Sequence, residues 1–155
     1  MTVQPKDPDF ERRVRASFAR QAAMATLGVT VERVLPGEVV LSLPFRADLT
    51  QQHGFLHAGI VTSVVDSACG YAALSLMEPG TAVLSVEFKV NLLAPARGAY
   101  FQAHGRVVRA GRTVTVVSGE LRAFAVSEPR SDEGTVVAIM TGTMMSVRNR
   151  PELAD

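Results

Sequence analysis

With 155 residues, 16 of them basic and 15 acidic, the chain carries a net charge of +1 and has the length of one domain with a proper core. That balance supplies no global field to draw nucleic acid or an acidic membrane, so any polyanion site must be local. The single cysteine, Cys69, excludes an internal disulfide and a multi-cysteine metal cage and suits a reducing cytoplasm. The opening MTVQPKDPDFERRVR has no apolar signal-peptide core, which argues against secretion.

Asp7 or Asp9 with Pro8 can start a first helix over about residues 8–27, where Phe10, Val14, Phe18, Ala22 and Ala25 recur every three or four positions and Gly28 can end it. From Val29 the period becomes two, and VTVERVL and EVVLSLPF read as strands joined around Pro36-Gly37. Residues 46–56 read as a loop, followed by a long helix that Pro79-Gly80 stops. The rest is strand-like: AVLSVEFKVNLLA, AYFQAHGRVVR, TVTVVSGELRAFAV and TVVAIMTGTMMSV, with Ala110-Gly111 as a tight turn and SEPRSDEG as a longer polar loop. This order predicts a single α+β domain in which an antiparallel sheet wraps one central helix. An additional helix precedes a core of about 29–147, and a short tail follows it.

Asp66 is the residue in the long helix that needs explaining. It is the only formally charged residue between His57 and Met77. An ionised carboxylate in apolar surroundings is costly unless it is paired, neutralised or facing a cavity. Its face carries Gly59, Thr62, Ser63, Gly70 and Ala73, all small, while Val61, Val65, Cys69, Ala72 and Leu76, or Ile60, Val64 and Tyr71, form core stripes. The helix is therefore expected to be buried nearly all round. A membrane span has the necessary length, but the central Asp and several Gly, Ser and Thr oppose insertion.

QQHGFLHAG running into a helix with Asp66, followed by SVEFKVNLLAPA and by Arg109-Ala110-Gly111-Arg112, resembles the hotdog-fold acyl-CoA thioesterases of the PaaI type over roughly residues 10–147. The resemblance implies that Asp66 is the general base or nucleophile. It also implies a cytoplasmic homodimer with the site between subunits, paired again into a homotetramer. The chain has His57-Ala58-Gly59 where the family usually has His-Gly-Gly, and Gln51 where it often has Asn.

A thioester needs a nucleophile and oxyanion stabilisation but no strong general acid, because a thiolate with a pKa of about 8.5 leaves readily. One carboxylate can activate water or attack the carbonyl itself, and both routes stay open. Backbone N–H groups near Ala58 and Gly59 at the helix start can form the oxyanion hole. Gln51 either holds the carbonyl or water, or stabilises its loop. By resemblance, Ser85 hydrogen-bonds the water or Asp66. Coenzyme A presents a pyrophosphate and a 3′-phosphate, which suit Arg109 and Arg112 facing each other beside the N–H groups of Ala110-Gly111, with His57 and Lys89 as further candidates. Of the additions, Lys89, Arg97 and Arg106 are the weaker ones, and two merely solvated hairpin arginines are the alternative for Arg109 and Arg112. Phe18, Gln21, Met24 and Gly70 are candidates for the acyl pocket, with core packing as the alternative for the first three.

No metal or cofactor is expected, coenzyme A being part of the substrate. His53 and His57 have a zinc-ligand spacing only on a helix, and Gly54 lies between them. A non-catalytic acyl-CoA sensor needs no carboxylate, and a hydratase needs a His and acid pair. No G-x-S-x-G elbow of a serine hydrolase occurs. Neither nucleic acid nor membrane is expected as a partner, and the acyl group is left open between aryl and medium-chain.

Overall fold

A computed structural model of the chain describes residues 4–125, 134–153 and 155, so most of the SEPRSDEG segment lies outside the described residues. The elements are α1 (Phe10–Ala19), α2 (Ala22–Leu27), β1 (Thr30–Leu35), β2 (Glu38–Pro44), α3 (Ala58–Leu74), β3 (Ala82–Leu92), β4 (Tyr100–Ala110), β5 (Val114–Phe124) and β6 (Thr135–Val147). One 3-10 turn, Ala47–Leu49, interrupts the loop before α3, and another, Pro151–Leu153, follows β6.

All six strands join one antiparallel sheet in the order β1-β2-β4-β5-β6-β3, and α3 packs against one face of it. Two glycines let the helix sit directly on the strands. A Cβ at Gly105 would come within 2.3 Å of the Ala68 backbone, and one at Gly119 within 2.7 Å of Cys69 Sγ and Val65 Cγ1. Between helix and sheet lie Val61, Val64, Val65, Leu74, Leu41, Leu43, Phe101, Leu121 and Met140, all buried. The β1–β2 connection runs through Pro36-Gly37, where Gly37 adopts φ 77°, a value that favours glycine.

Four details differ from the sequence reading. The first helix is two helices, because Gln21 is extended (φ −80°, ψ 91°); no Gly or Pro marks that break, so the apolar period runs straight across it. The central helix ends at Leu74, short of Pro79-Gly80. There the buried Ser75 hydroxyl donates to the Ala72 carbonyl (2.7 Å) and accepts the Gly37 N–H (2.7 Å), tying the helix end to the β1–β2 turn. The β4–β5 connection is Gly111–Thr113 rather than Ala110-Gly111, closed by Gly111 N–H to the Val114 carbonyl, and Arg109 lies opposite Val116 instead of Arg112.

The fourth concerns burial. α3 is not enclosed all round: Gly59 and Ser63 are exposed and Asp66 is half-buried. The reason is β3 beside it, an edge strand that leaves Leu84, Val86, Phe88 and Leu92 between 43 and 58 % exposed.

Candidate active site

Asp66 is the central residue of α3. Its Oδ1 accepts a 2.8 Å hydrogen bond from the Ser85 hydroxyl on β3, and no second partner touches the carboxylate among the described residues. Burial pushes its pKa above the ordinary carboxylate value, and the Ser85 bond opposes that only in part. Ser85 Oγ also lies 3.3 Å from Met144 Sδ. Asp66 and Ser85 line a cavity of about 130 Å³, so this acid faces space rather than a counter-ion.

Helix α3 begins 12 Å or so away, eight residues at about 1.5 Å each. His57 caps it: its Nδ1 accepts the Gly59 N–H at 2.9 Å, and its carbonyl takes the Ile60 and Val61 N–H groups. Gly59 is therefore spent on the cap, whereas the Ala58 N–H has no acceptor among the described residues. Of the two expected donors, only Ala58 is free. The Gln51 side chain ties its loop through Oε1, which accepts the His53 N–H, and leaves Nε2 without a partner among the described residues. Gln51 and Ala58 share an apolar pocket of about 390 Å³ with Phe55, Val61 and Leu92.

Four residues were candidates for the acyl pocket. Gln21 and Gly70 line the cavity with Asp66. Phe18 instead stacks edge-on against Tyr71, with ring centroids 5.6 Å apart, and Met24 is buried in the core. Both therefore pack rather than line that cavity. Ser17, Ser67, Tyr71 and Asp155 line it as well and were missed. Tyr71 sits on what the helical period marks as a core stripe, and nothing in the sequence ties Asp155 to this place.

Lys89, Arg109 and Arg112 are exposed and have no ion-pair partner among the described residues. Ser85, Met144, Thr115 and Ala110 follow one another across β3, β6, β5 and β4, so the β4–β5 hairpin lies at the Ser85 end of the sheet. Three inter-strand spacings of about 4.8 Å put Ala110 roughly 14 Å from Ser85. Cys69 is buried and its thiol is pushed up to about 12 by desolvation, which leaves it inert. Among the described residues no cluster of His, Cys, Asp or Glu has the form of a metal site, and no helix is long and apolar enough to cross a membrane.

Residues 53–126 match the family model for the thioesterase superfamily. A protein of Halobacterium salinarum named "Putative esterase" is 33% identical over 131 residues, covering 81% of this chain and 85% of the relative. The crystal structure of a thioesterase family protein from Silicibacter pomeroyi is 52% identical, covers 90% of this chain and 99% of that one, and superposes with a TM-score of 0.85. The E. coli PaaI protein from the phenylacetic acid degradation operon has the same fold, with a TM-score of 0.78 at 20% identity over 90% of this chain and 94% of its own.

Proposed function

The chain belongs to the thioesterase superfamily, and from that premise we propose that it hydrolyses an acyl-CoA thioester to the free acid and coenzyme A, without a metal. The observation that carries this reading is Asp66: a half-buried carboxylate with a raised pKa and one hydrogen bond, facing a cavity. A base poised nearer to neutral pH takes a proton from water more readily, and a desolvated carboxylate is also a better nucleophile towards the carbonyl carbon. The Ser85 hydroxyl orients Asp66. The free Ala58 N–H, at the positive end of α3, meets the oxyanion, and Gln51 Nε2 holds the carbonyl or water. The thiolate then leaves without help from an acid.

One thioester cannot touch both Ala58 and Asp66 of the same chain across about 12 Å. The reading therefore includes a second copy. β3 supports this, as a long, apolar edge strand without cover among the described residues is a template for pairing. A two-fold axis beside β3 sets the two α3 helices antiparallel. If it passes near Thr62 and Ser63, midway between residues 58 and 66, the small side chains allow close approach and Ala58 of each copy meets Asp66 of the other. Refolding Gln51→Ala and Asp66→Ala chains together in equal amounts then makes half the dimers mixed, each with one intact site. About a quarter of parental activity is expected back. No recovery despite demonstrated exchange removes the shared site. Pairing of dimers into a tetramer is part of the same proposal.

Arg109 and Arg112, remote from Asp66 at an exposed hairpin, grip the nucleotide phosphates, with Lys89 and His57 as secondary contacts. Such contacts are alike in ground and transition states. Arg109→Ala with Arg112→Ala should thus raise KM for acyl-CoA more than it lowers kcat and leave a truncated thioester unaffected. Equal loss on both substrates makes the arginines structural. The whole reading is tested by released thiol from short, medium, long and aryl acyl-CoAs; hydrolysis of none of them ends it.

A further inference from the structure

The cavity beside Asp66 has a wall that the hydrolytic step does not use. Away from Ser85 it is polar, built by Ser17, Gln21, Ser67, Tyr71 and Asp155. Asp155 is held across it at two points, accepting from the Ser17 hydroxyl (2.6 Å) and the Arg20 guanidinium (2.6 Å), and its side chain is only 16 % exposed. Gln21 spends its Nε2 on the Ser67 hydroxyl (3.3 Å), while its Oε1 is buried with no donor. A buried acceptor without a donor is a standing cost that an entering donor would remove.

Gly70 adds an independent sign. Alanine is preferred to glycine inside a helix, yet a Cβ built at Gly70 meets nothing within 4 Å. The glycine answers no steric demand within the chain and leaves the cavity open. The cavity, about 130 Å³, has a third of the volume of the pocket that Gln51 and Ala58 share, about 390 Å³. It is therefore small, and the buried side-chain atom of its wall that lacks a partner among the described residues is an acceptor.

We propose that Gln21 and Asp155 select the acyl group, a short chain ending in a hydrogen-bond donor, hydroxyl or ammonium, that Gln21 Oε1 and the Asp155 carboxylate accept. This rests on the acyl-CoA thioesterase reading and narrows it. A site built around acceptors rejects an isostere lacking the donor, because desolvating those acceptors then goes uncompensated. Asp155, a carboxylate, favours an ammonium over a hydroxyl, and Gln21 serves either donor.

Three isosteric thioesters test it: butanoyl-CoA, 3-hydroxypropanoyl-CoA and 3-aminopropanoyl-CoA, which differ only in the terminal CH₃, OH or NH₃⁺. In the full chain, kcat/KM for at least one donor-bearing substrate should exceed that for butanoyl-CoA by about tenfold or more. Gln21→Leu combined with Asp155→Ala should abolish that preference. Asp155→Asn, which keeps the bulk and the Ser17 contact, should lower the preference for the ammonium more than for the hydroxyl. A parent that treats the three alike, or a preference that survives Gln21→Leu with Asp155→Ala, overturns the proposal. So does a parent that hydrolyses longer or aryl acyl-CoAs and none of these three, and that result leaves the thioesterase reading intact. Hydrolysis of no acyl-CoA at all overturns both.

Discussion

Asp66→Asn is expected to fold as the parent does, to melt at a higher temperature at neutral pH, and to hydrolyse acyl-CoA at least about a hundredfold more slowly. The two effects share a cause. Desolvation holds the Asp66 pKa above its unfolded value of about 3.9, so in the window between those values the folded state keeps a proton that the unfolded state has lost. Stability falls as pH rises through that window, and above the folded pKa the full cost of the buried charge is present. Asparagine keeps the shape and carries no charge, so the cost disappears along with the base. The parent chain should lose activity on acidification through the same raised pKa. Turnover at the parental level by a well-folded Asp66→Asn chain would remove the residue from the mechanism.

Arg13→Ala should cost about 3–5 kcal/mol of stability, read from the shift in denaturant midpoint at constant slope. The Arg13 guanidinium donates to the carbonyls of Leu74 (3.0 Å), Met77 (2.7 Å) and Glu78 (2.5 Å), and its Nε lies 3.3 Å from the Asp7 carboxylate. Both side chains of that pair are about nine-tenths covered. Alanine leaves the buried Asp7 carboxylate with the Asp9 N–H but no cation and strips the Leu74, Met77 and Glu78 carbonyls of this donor, while the dipole at the end of α3 loses its cation. Removing Asp7 as well should restore part of the loss, since the stranded charge goes with it. A loss under about 1 kcal/mol would mean that the pair behaves as a solvent-exposed one and does not anchor α1.

Arg13 also marks a limit of the sequence. Its role depends on carbonyls more than sixty residues away, and on α1 its spacing is that of any surface arginine. The same holds for Asp155, 138 residues from the Ser17 that holds it. His57 is another case: a residue that does not belong to the usual capping set takes the Gly59 N–H and leaves Ala58 as the free donor.

The strands and the central helix were legible because period two and period 3.6 are local properties of which side chains avoid water. The Pro36-Gly37 turn was legible because its backbone angles demand glycine. Asp66 stood out because a lone charge among small apolar residues is a local anomaly. The sequence by itself therefore determined the element order and pointed to the acid. Tertiary structure alone decided that β3 pairs with β6 at the sheet edge, which brings Ser85 to Asp66 and leaves one face of α3 open. It also decided that Gln21, Ser67 and Asp155 wall one cavity while Met24 goes to the core. Periodicity distinguishes a side chain sheltered from water from one that is not. Whether the shelter is packed or hollow depends on which distant segments arrive, and no local pattern carries that.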